Sequence, residues 1–510
     1  MAGHATASWP LGVVIMDAWS GLTLGFGVIL TPANLYYCFL GSLIGTLVGV
    51  LPGLGPLGAL ALLLPVTFTL TPVAGMAMLA AIFYGAMYGG STTSVLVNIP
   101  GEAASVVTCL DGYQMARQGR AGAALGMAAM GSFIAGTLSL VAMTFFAPGL
   151  AALAIRFGPP ENCALMVLGL VCTLFMIQGS KVKGLLMVAL GFLLAAVGMD
   201  VVNGQERFTF GSINLSAGIE LLAVVIGLFG ISEILINVEE MAQQTVLAGK
   251  IRHLWPRVSD WQASWRAILR GSGLGFVLGI VPGGGPITAS FMSYAMEKRL
   301  SRHPEQFGRG AIEGVAGPES ANNAAVAGSM IPLMSLGIPS NPITALLLGA
   351  LIIQGIQPGP MFIQQHPDLF WGVMAAMYVG NVMLLILNLP LIGLWVQLLR
   401  VPYRYLFPLI VLLSVIGTYS ANKNVFDLWV MLGFGVLGYV LRKLAYDFAP
   451  FVLAFVLAPL LEQSLRQSLV MSAEGSKIFL QRPLSLTLLM ISGALMAWMV
   501  FKQLTQRRHT

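Results

Sequence analysis

The chain has 510 residues, 57% of them hydrophobic and only 9% charged, with a mean hydropathy of +0.85. Soluble chains run nearer a quarter charged, so this composition cannot cover a water-facing surface and excludes an ordinary soluble protein. The net charge of +6 is carried by Lys and Arg in loops and at chain ends, which fits positive-inside membrane topology and excludes a basic nucleic-acid-binding face.

The N-terminus lacks a cleavable-signal pattern. Met1–Trp9 holds no Lys or Arg and Asp17 interrupts the first apolar stretch, so the first span is expected to stay in the mature chain. Next comes a glycine ladder, Gly41, Gly45 and Gly49, running into Pro52-Gly53-x-Gly55-Pro56. Four-residue spacing puts small residues on one helix face and allows close helix packing. The Pro-Gly terminus is different: two prolines and two glycines within five residues cannot remain regular helix. Lipid satisfies none of the backbone groups released there, so protein, water or ligand must. Downstream, Ser91, Thr92, Thr93 and Ser94 precede a second break, Asn98-Ile99-Pro100-Gly101-Glu102.

Apolar runs follow at Ala123–Leu153, Leu185–Met199 and Leu221–Val238, and later at Trp371–Leu399, Leu428–Val440 and Leu484–Phe501. With shorter and broken segments they predict an all-α polytopic membrane protein of about ten to twelve transmembrane helices. Residues 239–264 form the most polar continuous stretch and read as a linker between a first half, 1–238, and a second, 265–510. The second half opens with the ladder again: Gly271, Gly275 and Gly279, then Pro282-Gly283-Gly284-Gly285-Pro286, at a constant offset of 282 − 52 = 230. Asn322-Asn323 and Ser329 then lead to Gly337-Ile338-Pro339-Ser340-Asn341-Pro342, where pairing Pro100 with Pro339 gives an offset of 239. The second half has therefore gained residues, expected around Ser301–Gly317. A hydrophobic helix broken at corresponding places in two halves is the signature of a repeat-built membrane transporter, with inverted repeats and re-entrant hairpins favoured.

Broken-helix carbonyls, hydroxyls and amides suit a sodium-sized cation, and half-helix N-termini suit a carboxylate. The predicted binding residues are Pro52, Gly53, Gly55, Ser91, Thr92, Thr93, Asn98, Pro100 and Gly101 from the first half. From the second they are Pro282, Gly283, Gly284, Gly285, Asn322, Asn323, Pro339, Ser340 and Asn341. Carboxylates at membrane depth are costly and usually functional. Glu102 and Glu319 are the ion-coupling candidates, with Ser94 and Ser329 beside them, whereas Asp111 reads as a loop or interface residue and Asp200, Glu206 and Asp427 as loop residues. Cys38, Cys109, Cys163 and Cys172 show no metal-ligand spacing and the five histidines are scattered, so no cofactor or metal beyond sodium is expected.

Several of these motifs together resemble one family. Gly-Val-Leu-Pro-Gly-Leu-Gly-Pro (49–56), Asn-Ile-Pro-Gly-Glu (98–102), Leu-Asp-Gly-Tyr-Gln-Met-Ala (110–116), Pro-Glu-Ser-Ala-Asn-Asn-Ala (318–324), Leu-Gly-Ile-Pro (336–339) and Gln-Pro-Gly-Pro (357–360) look like the large membrane subunit of tripartite tricarboxylate transporters, the TctA family. The resemblance runs from about residue 35 to at least 460. It implies a secondary carrier importing carboxylates, working with a small four-span membrane subunit and a periplasmic substrate-binding protein in the bacterial inner membrane. It also implies drive by a sodium or proton gradient rather than ATP, and no phosphate-loop motif is present in the sequence. The Lys/Arg clusters at 250–270, 298–309 and 502–508 place the C-terminus in the cytoplasm. A channel, an intramembrane enzyme and a non-transporting scaffold are the alternatives.

Overall fold

The computed structural model describes residues 17–51, 55–154, 156–177, 180–200, 203–239, 254–359, 361–399 and 403–506. The ladder-bearing Pro52 and Gly53, most of the 239–264 linker and the last basic cluster's Arg507 and Arg508 lie outside these residues. Among them the chain is helical, apart from a two-stranded antiparallel ribbon pairing Gly198–Met199 with Glu206–Arg207. Among the described residues, eight helices are long and apolar enough to cross a membrane, and five further apolar helices are shorter. This is the architecture of a polytopic all-α membrane protein.

The first part runs α1 (Ala18–Ile29), α2 (Pro32–Val50), α3 (Gly55–Thr67), α4 (Pro72–Val97), α5 (Val106–Arg117), α6 (Ala121–Ala154), α7 (Pro159–Met176) and α8 (Lys181–Ala195). A ninth helix, α9 (Leu221–Glu239), passes through a π-helical segment at Ile226–Ile231. The second part runs α10 (Val258–Ile280), α11 (Pro286–Leu300), α12 (Glu313–Leu336), α13 (Pro342–Ile353), α14 (Pro367–Asn388), α15 (Tyr403–Asn422), α16 (Val425–Lys443), α17 (Ala449–Val470) and α18 (Pro483–Gln506). Proline at the first turn starts α2, α4, α11, α13 and α14, where its missing N–H costs nothing.

The core is organised around α4 and α12. Val73–Val97 of α4 and Gly314–Ser335 of α12 are buried throughout, whereas α16 and α18 expose most of their apolar surface on the outside. The ladders explain how α4 and α12 are gripped. A Cβ built on Gly41, Gly45 or Gly49 of α2 would sit within 2.5 Å of the carbonyl oxygens of Met78, Ile82 and Ala86 on α4. On α10, Gly271, Gly275 and Gly279 meet the carbonyls of Gly317, Ala321 and Ala325 on α12 in the same way. The partner spacing is 37 residues in the first pair (78 − 41) and 46 in the second (317 − 271), so the nine extra residues enter between ladder and partner helix. They fall in the connection from α11 to α12, Ser301–Ile312, where the sequence places them.

Substitution tests this grip. Gly275→Ala forces two backbones apart and should destabilise the purified protein by about 1–3 kcal/mol. Gly273→Ala, with nothing within 4 Å of its Cβ, should be neutral or gain up to about 1 kcal/mol of helix propensity. Thermal melts in detergent compare the two; equal Tm values would show that the ladder is not in close contact.

Candidate functional site

Each half carries two breaks, and the two Ile-Pro breaks are built alike. Helix α10 ends at Ile280, and Gly283 and Gly285 take φ of +80° and +101°, conformations that glycine adopts without strain, before α11 begins at Pro286. The released amides are used locally: the Gly284 N–H donates to the Val281 carbonyl (2.9 Å), that of Gly285 to Leu278 (3.1 Å) and that of Gly283 to Ser340 (2.8 Å). The last of these ties one break to the other. In the first half, described residues resume at Gly55 (φ +59°), which starts α3, and the carbonyl of Val50 at the end of α2 accepts from the Thr93 hydroxyl at 2.7 Å.

The Ile-Pro breaks match residue for residue. Asn98 (φ 61°, ψ 28°) and Gly337 (φ 70°, ψ 24°) close α4 and α12 in the left-handed conformation. Glu102 (φ −147°, ψ 165°) and Asn341 (φ −153°, ψ 169°) then cap the following helices. Each forms a capping box with the residue three positions on, Ser105 and Thr344. The spacing of 239 holds for all three pairs (337 − 98, 341 − 102, 344 − 105).

These breaks surround one cavity of about 640 Å³. Its wall takes Gly55–Gly58 from the start of α3, Pro100–Ala103 and Val106 from the start of α5, Gly283, Gly284 and Pro286–Thr288 from the start of α11, and Ser340–Ile343 from the start of α13. Four helices thus present their N-termini to the same space, where unpaired N–H groups and helix dipoles favour negative charge. Thr173 and Ile177 at the end of α7, Phe229 on α9 and Leu453 on α17 supply apolar wall. Three charged residues that sequence reasoning did not single out also line it: Glu233, Arg442 and Asp447. Arg442 is ion-paired to Glu233 and lies over the Phe448 ring, 5.7 Å from its centre. Glu233 was the readable signal, since it interrupts the apolar run of α9.

Of the residues predicted from sequence, Gly55, Pro100, Gly101, Glu102, Gly283, Gly284, Ser340 and Asn341 are on this wall. Pro282, Gly285 and Pro339 belong to the breaks without lining it, and Asn98 is exposed beyond them. The hydroxyl and amide residues within α4 and α12 go elsewhere. Ser91 and Thr92 line a separate pocket of about 10 Å³ with Tyr88, Ser132 and Asn388, the size of one water. Ser94 donates to Ser105 (2.9 Å), and Ser329 bonds back to the Val326 carbonyl (2.8 Å). Glu319, fully buried on α12, accepts from Thr108 of α5 and from Asn322 (3.2 Å), while Asn323 donates to Ser132 (2.8 Å) and to Asn322 (2.6 Å). Asp111 corrects the sequence reading: it is a fully buried helix residue. It accepts from the backbone N–H groups of Gly308, Gly310 and Ala311 at 2.8–2.9 Å and from the Tyr294 hydroxyl at 2.9 Å. Asp427 is likewise a buried residue of α16 rather than a loop residue.

The profile of the tripartite tricarboxylate transporter TctA family matches residues 35–453. The chain belongs to this family. It is therefore similar to the large membrane subunit of a tripartite transport system, and membership points to a transporter rather than an enzyme. Among its relatives, an uncharacterized 52.8 kDa protein in the TAR-I ttuC' 3' region of Agrobacterium vitis is 51% identical over 480 residues, 94% of this chain and 96% of the relative. A protein in the TAR-II ttuC' 3' region of the same organism is 54% identical over 215 residues, 42% of this chain and 89% of its own length. No solved structure matches.

Thr93→Val should cost about 1–3 kcal/mol, because it strands the buried Val50 carbonyl at the first break. Asn98→Gly, which copies position 337, should leave stability unchanged or slightly raised, whereas Asn98→Ala should lose about 1 kcal/mol to the left-handed backbone. Thermal melts of the three variants give the order; a Thr93→Val protein as stable as the parent would remove that hydroxyl from the break.

Proposed function

We propose that this TctA-family chain is the permease subunit of a secondary transporter that imports di- or tricarboxylates across the bacterial cytoplasmic membrane. A periplasmic binding protein presents the substrate, a small four-span membrane subunit completes the assembly, and a sodium or proton gradient drives accumulation. The observation that carries this reading is the convergence of four helix N-termini on one cavity that also holds Arg442. Substrate carboxylates are the groups that such a wall attracts, through N–H donors at the helix starts and the Arg442 guanidinium. Apolar wall residues between them favour a compact multi-anionic molecule over a stream of hydrated ions.

The two ladder-and-break units supply the movement. Two packed pairs, α2 with α4 and α10 with α12, hold breaks that line the cavity, and inverted repeats moving against one another as rigid bodies would open it to each side in turn. Lys502, Arg507 and Arg508 support a cytoplasmic C-terminus.

Reconstitution tests the reading. With the binding protein and small subunit present, proteoliposomes should accumulate labelled di- or tricarboxylate only when a sodium or pH gradient is applied. Carboxylate conductance without the binding protein would instead identify a channel. Arg442→Gln should raise the half-saturating substrate concentration about 10- to 100-fold, the equivalent of the roughly 1.5–3 kcal/mol carried by a charged hydrogen bond. An unchanged value would remove Arg442 from the substrate.

A further inference from the structure

Glu102 is more than a helix cap. One carboxylate oxygen, Oε2, accepts from the Ala104 N–H and closes the capping box. The other, Oε1, is buried and has no hydrogen-bond partner among the described residues, although the side chain, 5% exposed, forms part of the cavity wall. None of the ion pairs found among the described residues includes it. A buried carboxylate half-used and uncompensated is costly at membrane depth.

The matching position shows that the cap does not need the charge. Asn341 has the same backbone conformation and the same box geometry, and it accepts from Ile343 and Thr344 at 3.0 Å with a neutral amide oxygen. Asparagine caps as well as an acid does. One half therefore carries an extra negative charge at a place where the other half folds without one. The residue that bears it lines the very cavity in which the proposed anion would sit. Left uncompensated it would repel the substrate; neutralised, it would not.

We propose that Glu102 Oε1 is the binding site of the coupling cation, a single proton or sodium ion held inside the substrate cavity. The proposal rests on the secondary-carrier reading and assigns its coupling group. Cation and carboxylate each lower the other's cost of binding, because each cancels charge that would otherwise face the other, and the coupling is reciprocal. The remaining charged groups are placed consistently. Arg442 and Glu233 pair with each other and Asp447 lies on the same cavity wall, leaving Glu102 to the cation. Glu319 is held separately by Thr108 and Asn322 behind α5 and does not line the cavity. Gly90 leaves the room: a Cβ there would press on Glu102 Cγ at 2.8 Å.

The experiment uses the full chain, first alone and then in the reconstituted system. Melting temperature is measured with sodium replacing choline at fixed pH, and across pH in choline; the first arm detects sodium and the second protons. The parent should be stabilised in one arm, and Glu102→Gln and Glu102→Asn should lose that shift while melting as single folded species. In proteoliposomes both variants should still pass labelled carboxylate down its own gradient, within about tenfold of the parent rate, and should accumulate none against it. Accumulation by either variant, retention of its cation shift, or loss of the shift in Glu319→Gln with Glu102 intact would overturn the proposal. Failure of both variants to fold would also overturn it, since the cap would then need the charge. A parent that shows the cation shift but no carboxylate uptake would sink the carrier reading and leave the cation site standing.

Discussion

The carbonyl oxygens of Met78, Ile82 and Ala86 occupy the places where side chains on Gly41, Gly45 and Gly49 would have to be. Two helices in lipid gain little from hydrophobic burial against each other, because the surrounding tails are equally apolar; close van der Waals packing must supply the association. Removing every Cβ along one face is how α2 and α10 achieve it. Once that contact is made, α4 and α12 are fixed in the centre. The points at which α2 and α10 stop are then fixed relative to the points at which α4 and α12 stop.

That fixed relationship makes broken backbone tolerable. A helix end inside hydrocarbon leaves up to four polar groups unmet, and each costs several kcal/mol. Here the ends are close enough to serve one another: Thr93 of α4 meets the end of α2, and Ser340 beyond α12 meets Gly283 beyond α10. The helix starts that follow these breaks line the cavity, so the same construction serves both the fold and the space the proposed substrate would occupy. Strain and function come from one arrangement.

Much of this was legible in the sequence because glycine and proline have few reasons to recur at fixed spacing. The ladders, the four breaks and the extra residues between α11 and α12 could all be read from them. The hydroxyl and amide runs were read less well. Ser91, Thr92, Asn322 and Asn323 are small polar residues near breaks, but which face of a helix they take depends on packing partners such as Ser132 on α6 and Thr108 on α5, far away in sequence. Asp111 was misplaced because Gly-Tyr and Arg117 beside it suggest a loop; its burial depends on three N–H groups supplied nearly two hundred residues later. Arg442 was not singled out, because its place on the cavity wall depends on the approach of α16 to α9, where it pairs with Glu233.

The Asp111 clasp changes what counts as a half. Helix α5 follows α4 in the chain, but its carboxylate is gripped by Gly308, Gly310 and Ala311, in the very loop that the second half has and the first lacks. Mechanically α5 is an arm lent across the molecule. Helix α5 is thus packed on α4 and also tied through Asp111 to the loop before α12, so it bridges the two ladder-bearing pairs, and the short strap Asn98–Gly101 joins it to α4. That strap ends at Glu102, so the residue proposed to hold the cation sits at the covalent joint between α4 and the helix that bridges the two pairs.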